Sequence, residues 1–184
     1  MLFSPGWRAP VRQGEVLAVF TSGLLLGGML SAAVVWLLSG LAAPLPHWAR
    51  TSAVLAVAAA GVAREVGLIR LPLPQNARQI PPDVLQTHLR RGTLQFGFEL
   101  GTGVRTYVPA TAPYVLALAL LLARGSLPIA VLTGAAFGAG RALSAALTYL
   151  ARDEYRDTAV AARMPAIKTA TALTSFTALA LLLW

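Results

Sequence analysis

Five long apolar runs dominate this sequence and constrain its fold more than any other feature. They cover residues 16–41, 51–69, 93–123, 127–150 and 167–184. A helix needs about 20 mostly apolar residues to cross the hydrocarbon core of a bilayer, and the runs approach or exceed that length. Apolar residues make up 57% of the 184 residues and charged residues only 12%. We therefore predict an all-α, polytopic membrane helix bundle of about five transmembrane helices, forming one integral membrane domain surrounded by the lipid bilayer.

The distribution of positive charge predicts how this bundle is oriented. With alternating spans, ten cations fall on the side that holds the N-terminus and the two long connections, residues 70–92 and 151–166, and only Arg50 and Arg124 fall on the other side. Cytoplasmic loops carry an excess of Lys and Arg. We expect a plasma (cytoplasmic) membrane protein with its N-terminus in the cytoplasm and its C-terminus outside. The net charge of +8 has the same origin, so no nucleic-acid partner is expected.

The third apolar run is too long for a simple span. Thirty-one helical residues would measure roughly 46 Å at 1.5 Å per residue, against a hydrocarbon core of about 30 Å. The run also contains Gly103, Pro109 and Pro113, and proline inside a helix removes a backbone donor. The pattern predicts a kinked or discontinuous third helix, broken between about Gly103 and Pro113. The alternative is a long tilted helix with a kink near its outer end.

Ionisable and polar residues lie within the apolar runs. Charges at the bilayer centre are costly and normally face the bundle interior, and counting 1.5 Å per residue places Glu65, Glu99 and Arg141 in one layer of the cytoplasmic half, with Arg141 as the partner of Glu99. The predicted substrate-binding site or intramembrane polar network consists of Glu65, Glu99, Thr102, Arg105, Thr106, Tyr107 and Arg141. A structural network that only locks helix packing is an equal alternative.

Glycines repeat at a spacing of four residues in three of the runs. The pairs are Gly23 and Gly27, Gly97 and Gly101, and Gly134 and Gly138. This spacing places both members on one helix face, where helix backbones can approach closely in lipid. We predict that these glycines pack helices within the chain. Self-association into a homo-oligomer, or docking to other membrane subunits, is the alternative use.

The sequence carries no pattern typical of catalysis. It has no cysteine, which excludes thiol nucleophiles and thiolate metal sites on this chain, and it shows no phosphate-binding glycine loop or nucleophile elbow. His47 and His88 are expected in loops, without a second ligand at useful spacing. We therefore expect no catalytic residue, no metal site, no cofactor and no enzymatic activity.

Three stretches resemble the transmembrane thiol-reductant carriers of the CcdA/DsbD type, a family of cytochrome c biogenesis. They are GVAREVGLIRLP (residues 61–72), FELG (98–101) followed by Pro109 and Pro113, and GAAFGAG (134–140). The resemblance implies that the five spans correspond to helices two to six of that family. It also implies that one reactive cysteine falls in a missing first helix and that Arg105 stands in place of the other. A relative of this kind would be redox-inactive.

Two functions fit these features. The first is a small subunit of a transport or permease-type assembly, which handles a small polar or anionic solute at the Arg/Glu site, because transporters place broken helices and charged groups at membrane depth. The second is a non-catalytic membrane scaffold or anchor subunit of a multiprotein complex. The small size, the glycine faces and the basic cytoplasmic loops favour this alternative.

Overall fold

The computed structural model of this protein describes residues 10–73, 89–104, 108, 110–151 and 154–183. These residues form helices and connections without any β-strand, which confirms the all-α prediction. The helices are α1 (Pro10–Leu38), α2 (His47–Glu65), α3 (Leu89–Thr102), α4 (Ala112–Ala123), α5 (Leu127–Ala151) and α6 (Glu154–Leu183), and a 3₁₀ turn at Ser39–Ala42 extends α1.

Three helical stretches within the described residues are long and apolar enough to cross a membrane. They are Gly14–Ala42, Leu127–Leu147 and Thr158–Leu183, which lie in the first, fourth and fifth predicted spans. These three helices therefore have the length and hydropathy of membrane-spanning helices. The remaining two spans of the five-helix bundle, the single membrane domain and the orientation stay predictions.

The second predicted span ends earlier than its apolar run. The run reaches residue 69, but α2 stops at Glu65 because Gly67 adopts a left-handed conformation with φ of +88°. The amide of Leu68 donates to the carbonyl of Ala63 at 2.8 Å, and that of Gly67 donates to Arg64 at 3.0 Å. This pair of hydrogen bonds is a Schellman motif. The glycine, rather than a loss of hydropathy, ends the helix and leaves Glu65 in its last turn.

The third predicted run, residues 93–123, contains two separate helices. α3 ends at Thr102, where Gly103 has a φ of +71°, and α4 begins at Ala112. Pro113 lies in the first turn of α4, where a missing backbone N–H costs no intrahelical hydrogen bond. Both ends are thus determined by glycine and proline chemistry. That α3 and α4 cross lipid as one discontinuous span stays a prediction.

The first of two compact units contains α1 up to Ala33, α3, and α5 from Val131. Its core is formed by Phe20, Leu24 and Ala142, against which Phe96, Leu100 and Ala145 pack. The rings of Phe20 and Phe96 stack with their centroids 5.8 Å apart, so aromatic contact joins α1 to α3.

The second unit contains α1 from Val34, α2, α4, α5 up to Ala130, and α6. Its core residues are Val54, Ala58, Val115, Ala119 and Leu179, and α2 packs against both α4 and α6. Residues 154–166 belong to α6, although they were expected in a cytoplasmic connection. A connection between two spans can itself be helical, so their location relative to the membrane stays a prediction.

Candidate functional site

Glu65 is the centre of a hydrogen-bonded cluster in the second unit. Its side chain is only 6% exposed, and its carboxylate Oε1 accepts a hydrogen bond of 2.9 Å from the backbone N–H of Thr111. The Arg64 guanidinium lies 3.0 Å from the same oxygen. Because a buried carboxylate is costly unless it is paired and hydrogen-bonded, these two donors explain how Glu65 is tolerated inside an apolar unit.

Thr111 joins the start of α4 to the last turns of α2. It occupies the N-cap position of α4, but its side chain makes no capping bond to its own helix. Its hydroxyl donates instead to the carbonyl of Gly61 at 3.4 Å. A Cβ atom at Gly61 would lie 3.3 Å from the Thr111 hydroxyl oxygen, so the absence of a side chain at Gly61 lets Thr111 approach.

α6 is also hydrogen-bonded to Glu65. The hydroxyl of Thr169 donates to the backbone carbonyl of Glu65 at 3.2 Å. The Arg64 Nε donates to the carbonyl of Leu71 at 2.8 Å, which fixes the chain just after α2. We call Gly61, Arg64, Glu65, Thr111 and Thr169 the Glu65 clamp, since together they join the end of α2 to the start of α4 and to the middle of α6.

The first unit contains Glu99 and Thr102 on α3. Glu99 is half-buried, and its Oε1 accepts a hydrogen bond of 3.1 Å from the Gln95 amide. The Thr102 hydroxyl turns back to donate to the carbonyl of Glu99 at 2.7 Å. The carbonyl of Thr102 accepts from the Ser31 hydroxyl of α1 at 3.0 Å. Ser31 thereby supplies a partner for one of the carbonyls left unpaired at the end of α3.

Arg141 lies in the first unit, on α5. Its guanidinium carbon is 5.7 Å from the centroid of the Phe137 ring, one helical turn earlier. A cation over an aromatic face is stabilised by the ring quadrupole, which helps to accommodate a half-buried charge. The predicted pairing of Arg141 with Glu99, and the predicted single layer that includes Glu65, stay predictions. The predicted site residues Arg105, Thr106 and Tyr107 lie outside the described residues.

The six predicted glycines all lie where helices of the first unit touch. A Cβ at Gly23 or Gly27 would come within 2.8 Å of a backbone nitrogen of α3, that of Phe98 or Thr102. Conversely, a Cβ at Gly101 would lie 2.9 Å from the Leu24 carbonyl carbon of α1, and Gly97 faces the Phe20 carbonyl in the same way. Such distances leave no room for side chains, so α1 and α3 meet backbone to backbone.

A second glycine contact joins α1 to α5. A Cβ at Gly138 would lie 2.9 Å from the Leu24 carbonyl carbon, and one at Gly134 would lie 2.7 Å from that of Gly28. Gly28 was not among the predicted glycines. The sequence does contain a pattern that indicates this contact: Gly28 and Ala32 are small residues four positions apart, and both lie against Gly134.

Thr111 was not among the predicted site residues. A threonine two positions before Pro113 is a helix-start signal, so the beginning of α4 could have been located. The hydrogen bond to Glu65 could not, because the two residues are 46 positions apart. Within the described part of the chain, no group of three or more His, Cys, Asp or Glu side chains is placed to hold a metal ion.

Comparison with known proteins gives one informative similarity. The chain is 33% identical over 144 residues to the methylamine utilization protein MauF of Methylorubrum extorquens (strain ATCC 14718 / DSM 1338 / JCM 2805 / NCIMB 9133 / AM1). The match covers 73% of this chain and 50% of that protein, so the chain spans about half the length of the curated relative it matches. No protein-family model matches the sequence. No solved structure matches it either.

The proposed kinship with CcdA/DsbD-type carriers is wrong. No model of that family matches, and the similarity found is to a methylamine utilization protein. The stretches that suggested the resemblance consist of glycine, proline and apolar residues around single charges. Close helix packing and helix breaks require these residue types in unrelated membrane bundles, so they do not identify a family.

Proposed function

We propose that this protein is a non-enzymatic membrane subunit that anchors other components of a small-amine utilization system. The name of its relative, a methylamine utilization protein, supports the metabolic context. The observation that carries the anchoring role is the hydrogen bond between the Thr111 N–H and the buried Glu65 carboxylate. The Glu65 carboxylate thus lies at the start of α4, the position in which many transporters bind an anionic group of the substrate.

In many transporters the N-terminus of a broken helix points at an anionic group of the substrate, because unpaired N–H groups and the helix dipole attract negative charge. In this protein the N-terminus of α4 faces the carboxylate of Glu65, which belongs to the chain itself. The clamp therefore supports a structural role for this end of α4 and leaves an anionic solute no equivalent position there.

The packing of the first unit supports the same role. α1 meets α3 and α5 through backbone contacts at glycines, and such contacts hold helices by close van der Waals packing in lipid. Apolar side chains point outward elsewhere: Leu181 and Leu182 of α6 are each 80% exposed. An exposed apolar helix face of this kind suits contact with lipid or with a membrane-embedded partner subunit.

The proposed location is the plasma membrane, with a cytoplasmic N-terminus and an external C-terminus. The charge asymmetry of the sequence supports this orientation, and the three long apolar helices support membrane insertion. In this orientation the basic connections face the cytoplasm, where they would contact cytoplasmic components of the assembly.

A deletion strain of the source organism tests the anchoring function. We expect the strain to grow poorly with methylamine as its nitrogen source but to take up labelled methylamine at the normal rate. We further expect the tagged wild-type chain, purified in a mild detergent, to carry other subunits that mass spectrometry identifies. Loss of uptake in the deletion strain, together with a chain that purifies alone, would contradict anchoring.

Transport of a small polar or anionic solute is the second candidate. The half-buried charge of Arg141 within the apolar helix α5 favours it, because charged residues inside membrane spans often mark solute pathways. Here the test is solute flux into liposomes that contain the purified chain. Arg141→Leu should abolish flux while Arg91→Leu, at an exposed position of α3, leaves it unchanged.

A further inference from the structure

The connection that follows α2 exposes apolar side chains on a fixed backbone. The exposed side chains are those of Val66, Leu68 and Ile69. Leu68 is the most open of them, at 78% exposed. The left-handed Gly67 belongs to the Schellman motif that ends α2, and the Arg64 Nε donates to the Leu71 carbonyl at 2.8 Å, so hydrogen bonds hold both ends of the segment. We call residues 66–69 the apolar loop.

The apolar loop lies beside the middle of α6. The Thr169 hydroxyl donates to the carbonyl of Glu65 at 3.2 Å, and Glu65 is the residue directly before the loop. Met164 and Ile167, on the turns of α6 that precede Thr169, are exposed apolar residues as well. They belong to the stretch Thr158–Leu183, which is long and apolar enough to cross a membrane. Lipid that surrounds α6 at this level is therefore also next to the apolar loop.

Positive charge accompanies these apolar side chains. Arg70 is exposed directly after the apolar loop, and on α6 Arg163 is exposed and Lys168 half-buried. Among the side chains that the structure describes in the second unit, the sole acidic one is that of Glu65, which is buried and already hydrogen-bonded. Cationic side chains beside exposed apolar ones are typical of membrane interfaces, because the aliphatic stems contact lipid while the charges reach the headgroups. This end of the unit therefore suits an anionic bilayer surface.

We propose that the apolar loop inserts into the headgroup region of an anionic phospholipid bilayer, with Leu68 at the upper acyl carbons and with Arg70 and Lys168 on headgroup phosphates. Lipid is favoured over a protein partner because the loop adjoins α6, which itself has the hydropathy of a membrane span. In the proposed orientation this is the cytoplasmic leaflet, whose anionic lipids attract basic segments. The surface would bind lipid in an anchor and in a transporter alike, so it does not depend on the proposed function.

A labelled cysteine measures whether the apolar loop enters lipid. The natural chain has no cysteine, so Leu68→Cys provides a single attachment point for an environment-sensitive fluorophore on the full-length protein, in nanodiscs of phosphatidylcholine and phosphatidylglycerol. We expect a blue-shifted emission that is lost when the lipids are brominated in the upper acyl chain. Ala159→Cys is the matched control. It is exposed and lies about 15 Å along α6 from Thr169, at the far end of a stretch longer than the hydrocarbon core requires, so its label should stay in water.

Lipid selectivity tests the two cations. Native mass spectrometry of the same nanodiscs measures how strongly the protein retains phosphatidylglycerol over phosphatidylcholine. We expect Arg70→Gln and Lys168→Gln each to lower this preference about fivefold, the equivalent of about 1 kcal/mol for a cation at an anionic surface. Arg70→Lys keeps the charge and should retain the preference. Arg90→Gln controls for net charge, because Arg90 is already paired with Glu15 in the first unit.

Two results would overturn the proposal. The first is a label at position 68 that dissolved iodide quenches as readily as the label at position 159, which would leave the apolar loop to a protein partner. The second is a preference for phosphatidylglycerol that is absent in the wild type or unchanged in both Arg70→Gln and Lys168→Gln. Neither measurement involves amine uptake or the capture of other subunits, so a failure here is distinct from a failure of the anchoring function.

Discussion

The backbone N–H of Thr111 and the carboxylate of Glu65 form a hydrogen bond of 2.9 Å across 46 positions of the chain. The bond joins the first residue before α4 to the last residue of α2. It pairs an unsatisfied donor of a helix start with a buried negative charge, two groups that would each be costly alone. The arrangement explains why an acidic residue is stable in this apolar unit and why α4 can begin where it does.

Removing the Glu65 carboxylate should destabilise the second unit. Glu65→Ala leaves the Thr111 N–H without its acceptor, and we expect a loss of about 1.5–3 kcal/mol in the free energy of unfolding. Glu65→Gln should cost less, because its amide oxygen can still accept the bond. Tryptophan fluorescence during thermal unfolding in detergent measures the change. Glu15→Ala is the control: its exposed pairing with Arg90 is worth less than about 1 kcal/mol. Equal losses for Glu15→Ala and Glu65→Ala would show that the clamp contributes nothing.

The glycines of α5 should differ sharply in their tolerance of alanine. At Gly138 a new Cβ would lie 2.9 Å from the Leu24 carbonyl carbon, whereas at Gly140 it would meet nothing within 4 Å. We expect Gly138→Ala to destabilise the first unit by about 1–3 kcal/mol, the usual cost of overpacking. Gly140→Ala should be neutral, or stabilising by up to about 1 kcal/mol through helix propensity. Unfolding in detergent compares the two, and similar stabilities would contradict the described α1–α5 contact.

Gly67 should resist substitution because of its backbone conformation. Its φ of +88° is strained for any residue with a Cβ, so Gly67→Ala should cost about 1–2 kcal/mol and weaken the Schellman motif beside Glu65. Gly40→Ala, at a position with open space and no positive φ, provides the control. Thermal unfolding measures both variants. A Gly67→Ala protein as stable as the control would show that the left-handed turn is not needed to end α2.

The proposed orientation can be mapped by cysteine labelling, since the natural chain contains no cysteine. Single variants Ala43→Cys and Ser126→Cys, both outside the predicted spans, should react with a membrane-impermeant maleimide added to intact cells. Leu71→Cys should react only after the cells are permeabilised. All three positions are exposed, so protection reflects the membrane and not burial. The opposite labelling pattern would invert the orientation that the arginine distribution predicts.

The four-residue spacing of the glycines predicted which helix faces pack closely but not which helices they contact. The pairs at a separation of four residues identified the helix faces that carry Gly23, Gly97 and Gly134, because helical periodicity is a local property of the chain. Spacing did not indicate which helix each face meets. That α1 uses Gly23 and Gly27 against α3 but Gly28 against α5 depends on how three helices come together.

The amino-acid sequence by itself determined the helical class and the three long apolar helices, because hydropathy and helix-breaking residues act over a few neighbouring positions. It also placed glycine and proline where the helices end. Only the tertiary structure decided the partners of the polar groups: the Thr111 N–H donates to Glu65, and the Ser31 hydroxyl donates to the Thr102 carbonyl. These pairings join residues far apart in the chain, and their geometry depends on packing that no local pattern encodes.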